Sequence, residues 1–582
     1  MDPDEPEDIR VQYVSKNLEG LKGAAKKLAK FVDPLNKLDR IDGSRRPLVI
    51  FTFDEAHILT DNPPKKRWNL FLELRRILRQ ISSQAIFSLF LSTAGRFHLF
   101  FPEIRSDPSN RVRDSSCRTL DPITEISFDD MAYAAPPEVV TLDYVVQIDW
   151  MSHLGRPLYV HFGYYFNEQL TSHPSRFGTR YDAMHDKNEE VLMDFAKGKL
   201  LDGPSQLSKD DRSGSLACLS VRFALEFDAD GTASDVACTQ VERHMRLCLA
   251  ATAGREKFVT LAGSEPLLAE AAYELMKGTK SNPVHYLAHH SDLNCVDRGR
   301  RGELVAALLL MGACDAARAA SESPDTRWVS VDGFMKELLP PADYQRFQVS
   351  LPRFWRDGEK RTFMETFRNY GIWFNHVIKV EKKQMFSADN LWKYITRGAM
   401  MLCTQNQQGV DIVLPVCDIQ RKLSRDTVTA ILIQVKNAED IKLKIDKALF
   451  DGMGPIKLGV FPKDVTPKPV IRMVLALASD KAGVAFPDAR ERETHYPDPF
   501  TAFDVWIAGL STAAFKHIDE DLVSYRLLLE RSLEPHDAFE LKDDDEVDTE
   551  TRACRGSVRR RMAPLTSTEA AHENIHIQRQ AS

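Results

Sequence analysis

No apolar run in the sequence is long enough to cross a bilayer. The longest, Leu304 to Cys314, is closed by Glu303 and Asp315 and suits a buried helix. The nine cysteines include no Cys-x-x-Cys pair, which excludes zinc ribbons and redox dithiols. Their odd number, without a secretory signal, fits free thiols. Basic charge is also short: the net charge of −7 gives no global field to draw the chain onto nucleic acid, so any such binding must be local. Glycine and proline, 28 and 30 of 582 residues, are too few for a collagen-like or Gly/Ser-rich class. The opening Met-Asp-Pro-Asp-Glu-Pro-Glu-Asp carries the wrong charge for a signal or transit peptide. The expectation is an intracellular protein, cytoplasmic or nuclear, with no transmembrane segment and no membrane partner. One further absence concerns chemistry: no G-x-x-x-x-G-K-[ST] phosphate loop occurs anywhere.

What is present is ordinary folded protein, 43% hydrophobic and 28% charged. At roughly 150 residues per domain the length suggests about four domains. Residues 1–46 are polar, with helical spacing from Leu18 to Phe31. An unbroken apolar run, Leu48 to Phe53, then a helical stretch from Arg67 to Ile81, then a second run, Ala85 to Leu91, read as a βαβ unit within a segment 47–200. Residues 215–345 read as helical, with a winged helix as one option. Ser264-Glu-Pro supplies a helix start there, with Ser264 expected as the N-cap. A segment 350–530 has strands expected at 410–416, 428–435, 470–478 and 503–508, preceded by a helix over 389–404. The tail, 536–582, holds an acidic run, Asp543 to Glu546, and a basic one, Arg559 to Arg561, and its composition predicts disorder. The fold class is α/β and multidomain.

Two constellations carry chemistry. In the first, the strand ending at Phe53 runs directly into Asp54-Glu55-Ala56-His57. A strand end delivers one carboxylate to a Mg²⁺ shell, and the next can polarise an attacking water. The second strand ends at Ser92, where a polar group could sense a γ-phosphate. Further on stands Gly155-Arg156-Pro157. Together these resemble the STAND branch of AAA-like P-loop NTPases. That likeness implies Pro157 against the base and Asp54, Glu55 and Ser92 about the phosphates. The phosphate loop is missing, and the nearest piece, Gly20 to Lys27, has the wrong spacing and sits in a helical pattern. The reading is a truncated, vestigial nucleotide site that does not hold ATP tightly, in a module that serves regulation or assembly, including oligomerisation. Ser92-Thr93-Ala94 is only faintly like a DEAH helicase motif.

In the second constellation, Asp411 opens one apolar strand, and Gln434-Val435-Lys436 closes the next. Strand alternation puts Gln434 and Lys436 on one face. Polar groups ending an apolar strand need a reason to be there. The spacing resembles the PD-(D/E)xK, or restriction-endonuclease-like, superfamily, some branches of which carry glutamine for the second acid. It implies Asp411, the Gln434 oxygen and the Val435 carbonyl as ligands for Mg²⁺ or Mn²⁺. Asp411, Gln434 and Lys436 form the catalytic set, with Lys436 orienting or deprotonating the attacking water. A further acid from the preceding helix would be Asp389 or Glu381. The order of the two constellations is similar to Crinkler-type NTPase-plus-nuclease proteins, found notably in fungi and oomycetes. That implies metal-dependent cleavage of nucleic acid, DNA or RNA. The alternatives are a scaffold or effector with both sites inactive, and an NTPase switch whose phosphate loop lies elsewhere.

Overall fold

The computed structural model describes residues 7–35, 40–41, 44–45, 47–61, 69–81, 83–91, 100, 123–124, 128–132, 140–159, 185–208, 211–227, 231–251, 258–277, 282–289, 301–321, 326–356, 358–380, 383–404, 407–437, 443, 445–487 and 499–533. Ser92, Glu381 and the tail 536–582 lie outside the described residues. The chain is a mixed α/β protein that divides into two compact units. One is Met1–Pro122 with Val241–Arg243 and Ala251–Lys257, and the other is the remainder. Among the described residues, no helix is long and apolar enough to cross a membrane.

The first unit begins with helix α1, Glu7–Val32, which contains the lysine-rich stretch and the Gly20 to Lys27 piece. Strand β1, Val49–Phe53, pairs in parallel with β2, Ile86–Phe90, through helix α2, Leu70–Gln80. This is the expected βαβ unit. Asn69 caps α2 by accepting the Leu72 amide, and its Nδ2 donates to the Thr60 carbonyl. Phe90 stacks on Phe53 and meets Phe71 of α2 edge-on. Parallel sheets normally bury both faces, yet no residue of β1 or β2 is fully buried, and Ile50, Phe51 and Phe87 are exposed.

The second unit is built on a curled nine-stranded mixed sheet. Its strands, in chain order, are β3 (Val329–Ser330), β4 (Tyr370–Ile372), β5 (His376–Lys379), β6 (Ala399–Leu402), β7 (Ile412–Asp418), β8 (Val428–Lys436), β9 (Val470–Ala476), β10 (Gly483–Ala485) and β11 (Ala502–Ala508). The main path runs β10-β11-β9-β8-β7-β6-β5, and β4 joins β7 and β3. β7 and β8 form an antiparallel hairpin, while β8, β9 and β11 are mutually parallel. Every residue of β9 and β11 is buried, which explains their apolar sequence, interrupted only by the mutually paired Arg472 and Asp504. The expected helix over 389–404 stops early. Helix α7, Ala388–Ile395, gives way at Gly398, whose φ of 60° breaks the helix, and the rest of the apolar run becomes β6.

The helices around this sheet include α3 (Arg212–Phe223), α4 (Pro266–Met276), α5 (Arg301–Ala319), α6 (Val331–Leu338), α8 (Lys447–Gly452) and α9 (Leu522–Leu533). One hydrophobic cluster runs from Val140 to Leu529 and takes in both the helices and the sheet. The apolar core of α5, Val305 to Met311, is buried throughout, as its sequence indicates. Ser264 does not cap α4, because Glu265 holds the N-cap and Pro266 begins the helix. The Ser264 hydroxyl instead receives Arg397 Nε at 2.9 Å and lies 2.8 Å from His376 Nε2. His376 Nδ1 is 2.8 Å from Asn375 Oδ1, and Asn375 Nδ2 donates to Glu270, itself held by Arg318. Ser264, His376 and Asn375 are all buried, so this serine–histidine–asparagine chain is an interior network rather than a hydrolytic site. A second network lies within the sheet: Asp504 takes two bonds of 2.6 Å from Arg472 and one of 3.0 Å from Arg353.

Two expectations follow from these interior polar groups. Asp504→Ala leaves Arg472 and Arg353 buried without their carboxylate and should cost about 3–5 kcal/mol. Denaturant titration checks this, and a change under 1 kcal/mol would show that the triad is dispensable. The second concerns pH. Burial, reinforced by Arg397 and Arg222, holds His376 down to about 3, and burial holds His517 down to about 4. An unfolded chain protonates both near 6.5. Their contribution is therefore complete above pH 6.5 and is lost as the pH falls towards 4. Burial raises Asp129 to about 6 against the pull of Arg397, so that group works in the opposite sense between about 6 and 4. Burial raises Asp411 and Asp521 in the same sense as Asp129, but the two histidines are displaced furthest and outweigh them, so thermal unfolding of the second unit should occur at lower temperature at pH 5 than at pH 7.

Candidate functional site

The carboxylates after β1 lie on the first unit. Asp54 is exposed, and its Oδ1 accepts the Glu55 amide at 2.9 Å. Glu55 has a φ of 49°, and its carboxylate sits 3.1 Å from His57 Nδ1. Each acid is thus engaged locally, by a neighbouring amide or imidazole. The Gly155-Arg156-Pro157 turn belongs to the second unit. The Gly155 amide donates to Asp129 at 2.6 Å, and Arg156 reaches Glu265 at 2.8 Å. Gly155 has a φ of 96°, and a Cβ there would fall 2.5 Å from Glu265 Cγ, so only glycine fits. This local packing accounts for the glycine and arginine without a nucleotide base. Titration of Mg·ATP by calorimetry should give no micromolar affinity, and Asp54→Ala should leave the response unchanged. Micromolar binding abolished by that substitution would establish a working phosphate site.

The second constellation converges. The ladder pairs Ile412 with Ile433, so one step further Asp411 stands opposite Gln434, on the same face of the sheet. The Asp411 amide donates to the Ile433 carbonyl at 2.9 Å. Its side chain then folds over the end of β8 and accepts the Val435 amide at 2.7 Å. Residues two apart in a strand direct their backbone groups to the same side. The Val435 carbonyl therefore points towards Asp411, as the Ile433 carbonyl does. Lys436 lies one pleat beyond Gln434 on the shared face and is partly exposed. Burial pushes the Asp411 carboxyl up, opposed by the Val435 amide and by the Lys436 charge. Asp411, Gln434 and Lys436, with the Val435 carbonyl, thus meet at one end of the β7–β8 hairpin.

This strand end has spare acceptor capacity. Gln434 is 7% exposed, and its buried Oε1 has no hydrogen-bond partner; the Oδ1 of neighbouring Asn437 is in the same condition. A buried, unpartnered amide oxygen is costly unless something positive meets it. A hard cation fits that description: Asp411, Gln434 Oε1 and the Val435 carbonyl supply only oxygen atoms. Among the described residues, no group of three or more His, Cys, Asp or Glu could hold a metal, so any cation here relies on neutral oxygens as well. Asp389 pairs with Arg425 at 2.9 Å, an engagement of its own outside this set. Sequence reading missed Asn437 and the start of α5, where the backbone at Gly302 lies against the Asn437 side chain. No motif marks that contact, since it is purely tertiary.

A family model described as a domain of unknown function, DUF8736, matches residues 206–451. The match spans α3 to α5 and the whole β7–β8 hairpin, including Asp411, Gln434 and Lys436. It excludes Asp54, Glu55, Ser92 and Pro157. No curated protein matches the chain. No solved structure matches it either.

Proposed function

We propose that the second unit is a divalent-metal-dependent nuclease of PD-(D/E)xK type acting on DNA or RNA, and that the first unit is a vestigial NTPase-like module serving regulation or assembly. One observation carries the nuclease reading. Asp411, anchored by the Val435 amide, stands opposite a glutamine whose buried oxygen has no partner, with Lys436 next on the same face. The hairpin is supported by its neighbours: α7, β6, β7, β8, α8 and β9 follow one another along the chain, with β6, β7 and β8 paired antiparallel and β9 parallel to β8.

Mg²⁺ or Mn²⁺ held by Asp411, Gln434 Oε1 and the Val435 carbonyl would neutralise charge on the scissile phosphate. The chain does the rest. Val435 fixes the Asp411 carboxylate, which has no rotamer freedom left to lose on binding. Gln434 brings an acceptor without adding charge, which makes the site less anionic than one with two acids and weakens its hold on the cation. Lys436 orients the attacking water and offsets the negative charge that develops on phosphorus. The exposed apolar residues Ile50 and Phe87, paired on one face of this two-stranded sheet, and Phe51 on the other support an assembly role for the first unit.

The test is cleavage of single- and double-stranded DNA and RNA with and without Mn²⁺ or Mg²⁺. Lys436→Ala should lower the rate by about 10²-fold or more while leaving the circular dichroism unchanged. Asp411→Asn should lose metal binding together with cleavage. A protein that binds a divalent ion without cutting any substrate would favour a non-enzymatic effector. Cleavage by Lys436→Ala at the parent rate would refute the assignment.

A further inference from the structure

We infer that Ser213 and His244 form a nucleophile–base pair, a second chemical site that cleaves carboxylic esters by acyl transfer through a serine-bound intermediate. It uses none of the residues of the β7–β8 hairpin and stands independently of the nuclease reading.

The geometry is that of an activated serine. Ser213 Oγ lies 2.8 Å from His244 Nε2. The other ring nitrogen, Nδ1, lies 2.8 Å from the Leu200 carbonyl oxygen. A carbonyl only accepts, so Nδ1 carries the proton of that bond. A neutral ring has one N–H, which leaves Nε2 as an acceptor for the serine hydroxyl. Nucleophile, base and a third group that orients the base are thus connected in series. The imidazole is 4% exposed, while Ser213 is half-buried. A base held inside and a partly exposed nucleophile suit an incoming substrate. Ser264 differs in that respect, because it, His376 and Asn375 are all buried.

The chain around Ser213 holds it in place. Ser213 is the second residue of α3. Asp211 caps the helix by accepting the Gly214 amide at 2.8 Å, and the Tyr286 hydroxyl donates to the Arg212 carbonyl at 2.6 Å. A Cβ on Gly214 would run into Asp211 Oδ2 and fall 2.7 Å from Leu201 Cδ2, so glycine is required directly after the serine. Gln240, 1% exposed, donates Nε2 to the Ser213 carbonyl at 3.0 Å and to its Oγ at 3.3 Å, while its own Oε1 has no partner. A donor on Oγ steadies the charge that atom gains as its proton leaves. The amides of Arg212 and Ser213, first in the helix, have no backbone acceptor. With the helix dipole they bring partial positive charge to the place where an oxyanion would form.

As Oγ bonds to the ester carbonyl carbon, its proton passes to His244 Nε2 and the carbonyl electron pair moves onto oxygen. The pair returns as the carbon–alkoxy bond breaks, and the leaving alcohol takes the proton from Nε2. Water then repeats the sequence on the acyl-serine, which yields the acid and restores Ser213. The group that orients His244 is a neutral carbonyl, so the imidazolium formed on the way is less stabilised than beside a carboxylate. That limits the site to esters, whose leaving groups depart more readily than amines.

The probe is a fluorophosphonate, which traps an activated serine: an Oγ–phosphorus bond forms, fluoride leaves and the proton passes to the base. Full-length protein, Ser213→Ala, His244→Ala and His244→Gln are labelled, and the modified peptide is identified by mass spectrometry. The parent should carry the label on Ser213 and should release p-nitrophenol from p-nitrophenyl acetate. Ser213→Ala should lose both, with its melting temperature unchanged. Labelling of Ser213 should slow by about 10²-fold or more in either His244 variant. The glutamine form can still bond to Ser213 but cannot take its proton, and it decides the matter if the alanine form does not fold. An unlabelled Ser213 in the parent overturns the inference. So does labelling of a folded His244 variant at the parent rate, or ester turnover that Ser213→Ala retains in full.

Discussion

The hydrogen bond from the Val435 amide to the Asp411 carboxylate fixes the geometry of the candidate site. The ladder of β7 with β8 ends at the Ile412–Ile433 pair, three residues before β8 does, and at Val435 a side chain takes the place of the missing backbone acceptor. The amide gains a charged acceptor, which makes for a stronger bond than a neutral carbonyl would. The aspartate loses its freedom and is held in line with the Val435 carbonyl and the Gln434 side chain. Without that register the three polar groups would be unrelated residues at the ends of two strands. The fully buried strands β9 and β11 support it from one side, and the Arg472–Asp504–Arg353 triad ties them together on the face that Gln434 shares.

Much of the hairpin was legible beforehand, for a physical reason. Strand alternation has a period of two, so Gln434 and Lys436 could be assigned to one face from spacing alone, and a short polar loop implied an antiparallel partner starting at Asp411. The βαβ unit after residue 47 was legible in the same way. The apolar run from Ala399 to Cys403 was not. A fully buried strand and a buried helix end have the same composition, and only Gly398 in its left-handed conformation separates them. The short strands β3, β4, β5 and β10 escaped notice because two to four residues carry too little pattern. The role of Ser264 was misjudged as a cap, since nothing local reveals that Arg397 and His376 claim its hydroxyl.

The candidate site itself was half legible. Asp411, Gln434, Val435 and Lys436 were found by residue type and spacing. Gly302 and Asn437 were not, because the approach of α5 depends on packing between segments more than a hundred residues apart in sequence. Gly155-Arg156-Pro157 shows that a motif-like turn can also be accounted for by local packing. A glycine required by the bulk of Glu265, and an arginine paired with that same carboxylate, present the outward form of a ligand-binding turn.

The shared core of the second unit has a practical consequence for anyone who would cut this protein into parts. Residues 350–530 look self-sufficient on paper, since they contain every strand from β4 onward. Yet β3 lies upstream and pairs with β4, α5 packs on β8, and the carbonyl of Val140 receives the Leu423 amide at 2.8 Å. A fragment beginning at 350 would strip one side of the sheet and expose apolar side chains of the hairpin's own support. A piece meant to keep these contacts must start upstream of Val140, because residues 350–530 share one hydrophobic cluster with the elements before them.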